Sequence, residues 1–405
     1  MRLNLLSSRQ VNFVFLILIM ASVVIAGQET VKNGVVYIVN NDVPSQGIET
    51  LELRELWRIG GEDEEFIFRA IDKVLLAEDG DLYILDGMSG VIYVNSLDDG
   101  SLIRQINISG EGPGELSFAN NMFLMEEDQI ALLRPHPAKI VCIDYQGIPQ
   151  PSVDLTGDSF FIAGTADWSD GVLVVAGASA EIRAGQTFVA RYNRYGEMYR
   201  YESYSTRSSA FQAQMTEEDE YFMISKPWVI GEMGELYLAP YWAVSKDYYL
   251  INVYDDDGQL IRVITRDFVS YQRSHQEKKQ IVLQKFCGEN GLRLLTERGF
   301  EYLAEDYEPD ISEIYAHPDN NIWVSTSRSV RDQDSDVIIT YDVFSSRGHF
   351  LKQVSLEGDG DGQKDIVYFI DQDRVILVKG QLDAKFGCEM STEADILEII
   401  CYAIN

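Results

Sequence analysis

Residues 73–108 read KVLLAEDGDLYILDGMSGVIYVNSLDDGSLIRQINI and contain four short apolar runs separated by polar turns. The second run, Asp81–Leu85, follows one Asp-Gly pair, and the fourth run, Leu102–Ile108, follows another. Asp-Gly between apolar runs is typical of a β-hairpin, because glycine supplies the positive φ angle that tight hairpin turns require. The stretch therefore predicts four consecutive antiparallel strands, here called a, b, c and d.

The same order of runs recurs along the chain. The b runs, each of which follows a polar turn, are Asp81–Leu85, Gln129–Leu133, Gly171–Val175, Glu235–Ala239, Asn321–Ser325 and Arg374–Val378. Two four-stranded sandwiches would not explain six equivalent a–b–c–d orders. Six four-stranded units predict an all-β protein, a six-bladed β-propeller with blades arranged radially about a channel.

The two ends of the repeated region are complementary. The last unit supplies only three strands, ending with Asp395–Tyr402, whereas Leu51–Ile59 has the pattern of a d strand with no unit before it. Pairing the two would close the ring and remove two exposed sheet edges. We therefore predict one propeller domain over residues 50–405, closed by an N-terminal strand, and a separate extension over residues 27–49.

The connection between the fourth and fifth units is unusually long. Apolar residues in Ser274–Phe286 and Leu292–Tyr307 recur at near-helical spacing, which favours two short helices. We predict a helical insertion over about residues 268–310 that forms a lid on the channel mouth, or a cap that only shields the disc.

A short glycine-rich element follows the first unit. Residues 110–115 read Gly-Glu-Gly-Pro-Gly-Glu, which resembles the G-x-G-P-G-E element of secreted six-bladed β-propeller proteins related to the NHL-repeat group. The resemblance covers roughly residues 50–405. It implies the propeller fold and a binding or sensing role without catalysis.

The first 26 residues have the pattern of a secretory signal peptide. Arg2 and Arg9 precede an apolar run, and Val24 and Ala26 place small residues before Gly27. An uncleaved membrane anchor is the alternative, but the run is short for a span. We predict a protein exported to the periplasm or the cell exterior, with no membrane span after cleavage.

Charge and cysteine content narrow the partners. The chain has 65 acidic and 33 basic residues among 405, a net charge of −32, so nucleic acid is excluded as a partner. Four cysteines exclude a disulfide scaffold. Cys388 and Cys401 would be able to pair outside the cytoplasm, or Cys142 and Cys401 are buried hydrophobic residues.

Strand direction predicts where binding takes place. The b–c loops and the d–a connections lie on one face of the disc, and they are the long ones. Basic and aromatic residues on that face, scarce in an acidic chain, are the candidate binding residues: Arg134, His136 and Lys139, then Tyr241, Trp242 and Lys246, and finally Arg328 and Arg331. They would hold an unknown anionic or carbohydrate-like small molecule, a glycan, or a peptide or protein. Alternatively, the cations neutralise nearby carboxylates.

No residues are predicted to be catalytic, and no metal site is assigned. Residues 255–258 and 357–362 resemble calcium loops, but counting from Asp359 the sixth and twelfth positions are Lys364 and Ile370, which do not fit an EF-hand. We expect no cofactor beyond adventitious or channel-bound Ca²⁺. The leading hypothesis is a binding module without catalysis. The alternatives are a metal-dependent hydrolase of the gluconolactonase type, with Glu313 and Asp365 as ligands, and a subunit of an envelope complex with a contiguous apolar patch.

Overall fold

The computed structural model describes residues 27–61, 67–126, 128–155, 161–169, 171–181, 184–193, 196–206, 214–216, 227–240, 249–285, 288–331, 333–382 and 397–404. The predicted signal peptide, residues 1–26, and Cys388 lie outside these residues. Within the described part, no helix is long and apolar enough to cross a membrane.

The N-terminal half of the chain is built from short strands. Three strands come first: β1 (Gln28–Lys32), β2 (Val35–Asn40) and β3 (Ile48–Gly60). Sheet 1 contains β4 (Lys73–Leu76), β5 (Asp81–Asp86), β6 (Val91–Ser96) and β7 (Leu102–Asn107). Sheet 2 contains β8 (Asn121–Leu124), β9 (Gln129–Arg134), β10 (Lys139–Asp144) and β11 (Pro149–Asp154). Sheet 3 contains β12 (Ile162–Ser169), β13 (Val172–Glu181), β14 (Ala184–Asn193) and β15 (Gly196–Thr206).

The C-terminal half repeats this arrangement and adds two helices. After β16 (Gln214–Thr216), sheet 4 contains β17 (Trp228–Ile230), β18 (Leu236–Leu238), β19 (Tyr249–Tyr254) and β20 (Leu260–Arg266). Helices α1 (His275–Lys285) and α2 (Gly288–Glu297) and strand β21 (Glu301–Leu303) follow. Sheet 5 contains β22 (Ile311–Ala316), β23 (Asn321–Thr326), β24 (Val337–Ser345) and β25 (Phe350–Glu357). Sheet 6 begins with β26 (Ile366–Phe369), β27 (Arg374–Lys379) and β28 (Glu398–Ile404).

The prediction of an all-β protein is confirmed, and sheets 1, 2 and 3 each have four antiparallel strands in sequence order. Two local expectations were wrong. The b–c loops were expected to be long, but in the third unit most of residues 176–187 belong to the β13–β14 hairpin, which extends to the Glu181–Ala184 pair. The second helix ends at Glu297 instead of extending to Tyr307, and Gly299, with φ near 83°, lies just beyond its end.

Strand β3 occupies the edge of sheet 6. Its residues Leu53–Gly60 pair antiparallel with β28, which adds a fourth strand to that sheet. Its earlier residues, Ile48–Glu52, pair parallel with β25 at the edge of sheet 5. The first strand of the repeated region thus contacts the last two sheets of the chain.

The extension that could not be assigned from the sequence forms a hairpin on sheet 4. Strand β1 pairs with β2, and β2 pairs parallel with β20. The buried Asn40 amide donates to the carbonyls of Thr265 (3.1 Å) and Gly348 (2.9 Å), and its oxygen accepts from the Phe350 amide (2.9 Å). Because these partners belong to sheets 4 and 5 and the turn between β24 and β25, Asn40 joins two neighbouring sheets.

Apolar side chains fill the space between successive sheets. Six buried clusters each combine residues of two sheets: Tyr83 with Ile130 (sheets 1 and 2), Leu133 with Val175 (2 and 3), Val189 with Leu238 (3 and 4), Ile264 with Val324 (4 and 5), Tyr341 with Leu377 (5 and 6), and Ile399 with Leu82 (6 and 1). The burial of apolar surface is therefore concentrated between sheets, where it is the main stabilising contribution.

The glycine-rich element forms the connection from sheet 1 to sheet 2. The Gly112 amide donates to the Glu115 carboxylate at 2.9 Å. Gly114 has φ near 78°, and a Cβ there would lie 2.9 Å from the Pro149 side chain. Glycine is therefore required at position 114 both for its backbone conformation and for the close packing.

Candidate binding face

The first predicted group lies in the connection between β9 and β10 of sheet 2. The Arg134 guanidinium donates through Nε to the Pro137 carbonyl at 3.0 Å, which fixes the arginine within its own loop. His136 is exposed, and Lys139 is half-buried at the start of β10. Arg134 and Lys139 are paired across the two strands, so this group does lie together as predicted.

A buried carboxylate organises the neighbouring connection of sheet 1. Asp86 accepts hydrogen bonds from the amide and hydroxyl of Ser89 (2.9 and 2.8 Å) and from the Arg69 amide (2.9 Å). The β5–β6 connection is thereby attached to the segment that precedes β4. A Cβ at Gly87 would clash with the Ala119 carbonyl, so the same connection also packs closely against the segment before β8.

The contacts continue from sheet 2 to sheet 3. The Ala163 amide donates to the Pro135 carbonyl at 3.0 Å, which places the His136 loop beside the start of β12. The Asn120 and Asn121 amides extend from sheet 2 to the carbonyls of Gly164 and Ala166, each at 2.8 Å. The connections of the first three sheets therefore form one continuous surface.

That surface carries exposed apolar side chains, which we call the apolar arc. Its members are Ile67, Met88, Phe118 and Ile162, with exposed fractions of 73%, 62%, 42% and 45%. Arg69 is exposed beside them, and its side chain has no partner among the residues that the structure describes. These residues are not among the predicted ones, because only cations and aromatic residues on the b–c loops stand out in the sequence of an acidic chain.

The third predicted group, Arg328 and Arg331, anchors the helical insertion. Arg331 forms a two-point ion pair with Glu308 (2.6 and 2.7 Å), and its guanidinium lies 4.4 Å from the centre of the Tyr271 ring. Arg328 donates through Nε to the Val269 carbonyl at 2.6 Å and also lies over Tyr271. Charge neutralisation, the alternative stated for these cations, thus accounts for the geometry of Arg331.

The start of α1 is fixed to the same residues. Ser274 and Glu277 form a capping box, in which the Ser274 amide donates to Glu277 at 2.7 Å and the Glu277 amide donates to the Ser274 hydroxyl at 3.2 Å. The Tyr271 hydroxyl donates to Glu277 at 2.7 Å. Hydrogen bonds from the Ser274 backbone and the Tyr271 side chain lower the pKa of Glu277 to about 2, so its carboxylate is ionised at neutral pH.

A cleft of about 750 Å³ opens between α1 and the β23–β24 connection. Its lining residues include Tyr271, Glu277, Glu308 and Arg331 together with five glutamines, namely Gln276, Gln280, Gln284, Gln333 and Gln363. Of the predicted binding residues, Arg331 lines this cleft, whereas Arg134, His136 and Lys139 do not. Tyr241, Trp242 and Lys246 lie outside the described residues.

The residues that suggested a metal serve backbone turns. Asp255 accepts the amides of Asp257 (3.1 Å) and Gln259 (2.7 Å). Asp365 accepts the amides of Asp361 (2.7 Å) and Gly380 (2.9 Å), and burial raises its pKa. Within the described ranges, no three histidine, cysteine, aspartate or glutamate side chains come together as a metal site. The hydrolase hypothesis therefore gains no support from Asp365.

The two described cysteines are buried free thiols. Cys142 lies in sheet 2 and Cys401 in sheet 6. Burial raises the pKa of each thiol to about 11. This agrees with the interpretation of Cys142 and Cys401 as small hydrophobic residues.

Comparison with known proteins indicates the class of protein to which this chain is similar. A family (DUF5128) described as a 6-bladed beta-propeller matches residues 62–159. No curated protein matches the chain. This match and the four-stranded sheets define a β-propeller protein.

Solved structures of similar fold are distant in sequence. A member of the duf4221 family from Bacteroides vulgatus is 10% identical with a TM-score of 0.49, covering 88% of this chain and 98% of its own. A luciferin-regenerating enzyme is 8% identical with a TM-score of 0.42, covering 86% and 95%. A PQQ-bound aldose sugar dehydrogenase from Streptomyces coelicolor is 11% identical with a TM-score of 0.43, covering 87% and 97%. Likenesses at this level do not bear on activity.

Proposed function

We propose that this chain is an exported six-bladed β-propeller that binds a partner protein and has no catalytic role. The cyclic order of the buried clusters, in which sheet 6 shares a core with sheet 1, supports a closed ring. The buried Gln381 carboxamide, in the segment after β27, adds to this support. It accepts from the Ile71 amide at 3.1 Å and donates to the Ile71 carbonyl, next to sheet 1.

The apolar arc is the observation that carries the binding function. The apolar residues of the arc are exposed on connections that contact one another, and exposed apolar patches mark interaction sites. Small-molecule sites are concave and enclose their ligand, whereas Met88 and Phe118 project from connections at the protein surface. The arc therefore favours a protein surface as its partner.

The charges beside the arc specify the partner further. Arg69 lies on the same connection as Ile67, and Arg134 lies on the β9–β10 connection beside the start of β12, although the chain as a whole carries a charge of −32. Cations around an apolar centre match a partner that presents an apolar contact flanked by carboxylates. We therefore infer an acidic-rimmed apolar site on the partner protein.

Charged substitutions in the arc should strongly weaken partner binding. Replacing Met88 and Phe118 together by aspartate places two carboxylates in an apolar contact, which should weaken the complex by at least about 100-fold, since single central contacts often contribute about 2 kcal/mol. A photocrosslinking amino acid at position 88 in cells would identify the partner, and titration calorimetry with that purified protein would measure the loss.

Ile103→Asp is the matched control. Ile103 is 47% exposed but lies on β7, away from the connections that form the arc. The control should bind the partner as the unchanged chain does. Equal binding by the Met88/Phe118 variant, or crosslinking to the same protein from position 103, would reject the arc as the binding surface.

Export is proposed from the sequence. A leader of 26 residues with Arg2 and Arg9 ahead of its apolar run, and small residues Val24 and Ala26, supports cleavage before Gly27. N-terminal sequencing of the protein from the periplasmic or extracellular fraction should therefore begin at Gly27. A chain that retains residue 1 would contradict this proposal. Kinship with the NHL-repeat group is proposed from the Gly110–Glu115 element alone.

A further inference from the structure

We propose that the cleft between α1 and the β23–β24 connection is a second binding site, and that it takes an uncharged, hydroxyl-rich ligand, a glycan. The site is separate from the apolar arc, because its lining comes from the insertion, sheet 5 and the segment before sheet 6. It does not rest on the protein-binding function proposed above.

The charged groups of the cleft compensate one another. Glu308 lies between Arg331 (2.6 Å) and the nearly buried Arg273 (3.1 Å), and Glu277 is held by Tyr271 and Ser274. Arg331 in the lining and Arg273 behind it therefore balance the two carboxylates of Glu277 and Glu308. Because both oxygens of Glu308 contact Arg331, this cation is not available to an anionic ligand.

Asp334 strengthens the selection against anions. It is exposed, lines the cleft and adds one carboxylate at its rim. An anionic ligand would therefore meet a negative rim before it reached the compensated groups inside. A neutral ligand avoids this repulsion.

Glutamine carboxamides line the sides of the cleft. Among the cleft glutamines, the side chains of Gln276, Gln280 and Gln363 make no hydrogen bond within the described part of the chain, and all three are exposed. Each carboxamide offers both donors and acceptors. A sugar hydroxyl also donates and accepts, so these side chains match a ligand with many hydroxyl groups and no charge.

An apolar strip lies beside these amides. Ile281 of α1, Val330 of the β23–β24 connection and Val337 at the start of β24 all line the cleft. Sugar rings present C–H groups on their faces and hydroxyls on their edges, so apolar side chains next to amides suit both surfaces of a ring. The volume of about 750 Å³ lies within the range of small-ligand sites, which is enough for a short oligosaccharide.

Binding of defined oligosaccharides to the full mature chain tests the proposal. The probes are maltotetraose, cellotetraose, xylotetraose and chitotetraose, with tetragalacturonate as the anionic counterpart, measured by saturation-transfer NMR and titration calorimetry. At least one neutral probe should bind with a Kd below about 1 mM, and tetragalacturonate should bind more weakly. The absence of binding by all four neutral probes, or tighter binding of the anion, would overturn the proposal.

Variants assign the binding to the cleft. The double substitution Gln280→Ala and Gln363→Ala should weaken binding of the neutral probe by about tenfold or more. Each substitution removes the hydrogen bonds between one carboxamide and the sugar hydroxyls. Gln146→Ala, at the exposed β10–β11 turn, is the control and should bind normally. The Met88/Phe118 double variant should also bind normally, which separates this site from the arc. Unchanged binding by the Gln280/Gln363 variant, at an unchanged melting temperature, would reject the cleft as the site.

Discussion

Trp57→Ala should lower the free energy of unfolding by about 3–5 kcal/mol, the usual cost of truncating a buried tryptophan. The buried indole belongs to the cluster shared by sheets 6 and 1, and its Nε1 donates to the Leu97 carbonyl at 2.9 Å. A Cβ at Gly100 would lie 2.6 Å from the ring, so the indole packs directly on the β6–β7 turn. Since Trp57 is on β3, the substitution weakens the contact between the two ends of the propeller.

Denaturant unfolding followed by fluorescence and circular dichroism measures this effect. Leu56→Ala is the matched control, because Leu56 is the adjacent residue of β3 and is 39% exposed. It should change stability by no more than about 0.5 kcal/mol. A loss below about 1 kcal/mol for Trp57→Ala would mean that the contact between sheets 6 and 1 contributes little to stability, and the proposed ring closure would then lose its main energetic support.

The repeated sheets were predictable because their signals are local. In each strand, apolar residues alternate with polar ones or follow one another over a few positions. Asp-Gly turns such as Asp79-Gly80 and Asp99-Gly100 mark the hairpins. The pairing of Leu53–Gly60 with β28 could be predicted by counting strands. The last unit lacked a fourth strand, and one strand preceded the first unit. Counting the strands of the repeats therefore predicted a contact between residues that are far apart in the sequence.

The N-terminal hairpin has a local signal of this kind in its Asn33-Gly34 turn, but the sequence does not show which sheet the hairpin joins. Strands β2 and β3 pair parallel with β20 and β25, and a parallel pair needs no turn between its strands. In the sequence, nothing distinguishes Asn40 from other polar residues. Its hydrogen-bond partners include Gly348 and Phe350, near the other end of the chain. Only the folded chain shows that it joins two sheets.

The face that carries the apolar arc is the face of the long connections, but the residues of the arc could not be predicted from the sequence. Exposed apolar residues are common singly and carry no signal in a sequence, and Ile67 and Ile162 are 95 positions apart. They become a patch only because the connections touch. Conversely, Arg331 was predicted to bind a ligand because cations are scarce in this chain. The sequence does not show that Glu308, 23 positions earlier, forms an ion pair with it.

Asp342→Ala should destabilise the protein by about 3–5 kcal/mol, because it leaves a buried guanidinium without its counter-charge. Asp342 of β24 and Arg266 of β20 form an ion pair between sheets 5 and 4, and both side chains are almost fully buried. Gln353 donates to the same carboxylate at 2.9 Å, and Arg266 lies 4.5 Å from the centre of the Phe350 ring. Burial raises the pKa of Asp342, and Arg266 opposes that rise.

Replacing both partners at once separates the charge from the packing. Arg266→Met with Asp342→Leu removes both charges and keeps apolar volume, so it should be within about 1 kcal/mol of the unchanged chain or more stable, since a buried pair gains little over well-packed hydrophobic residues. Equilibrium unfolding of the two variants gives the comparison. If the double variant lost as much stability as Asp342→Ala, the polar contacts of the pair, including the one to Gln353, would themselves stabilise the joint between sheets 4 and 5. If Asp342→Ala were neutral, water would have to reach Arg266, and the side chain would not be buried in solution as it is here.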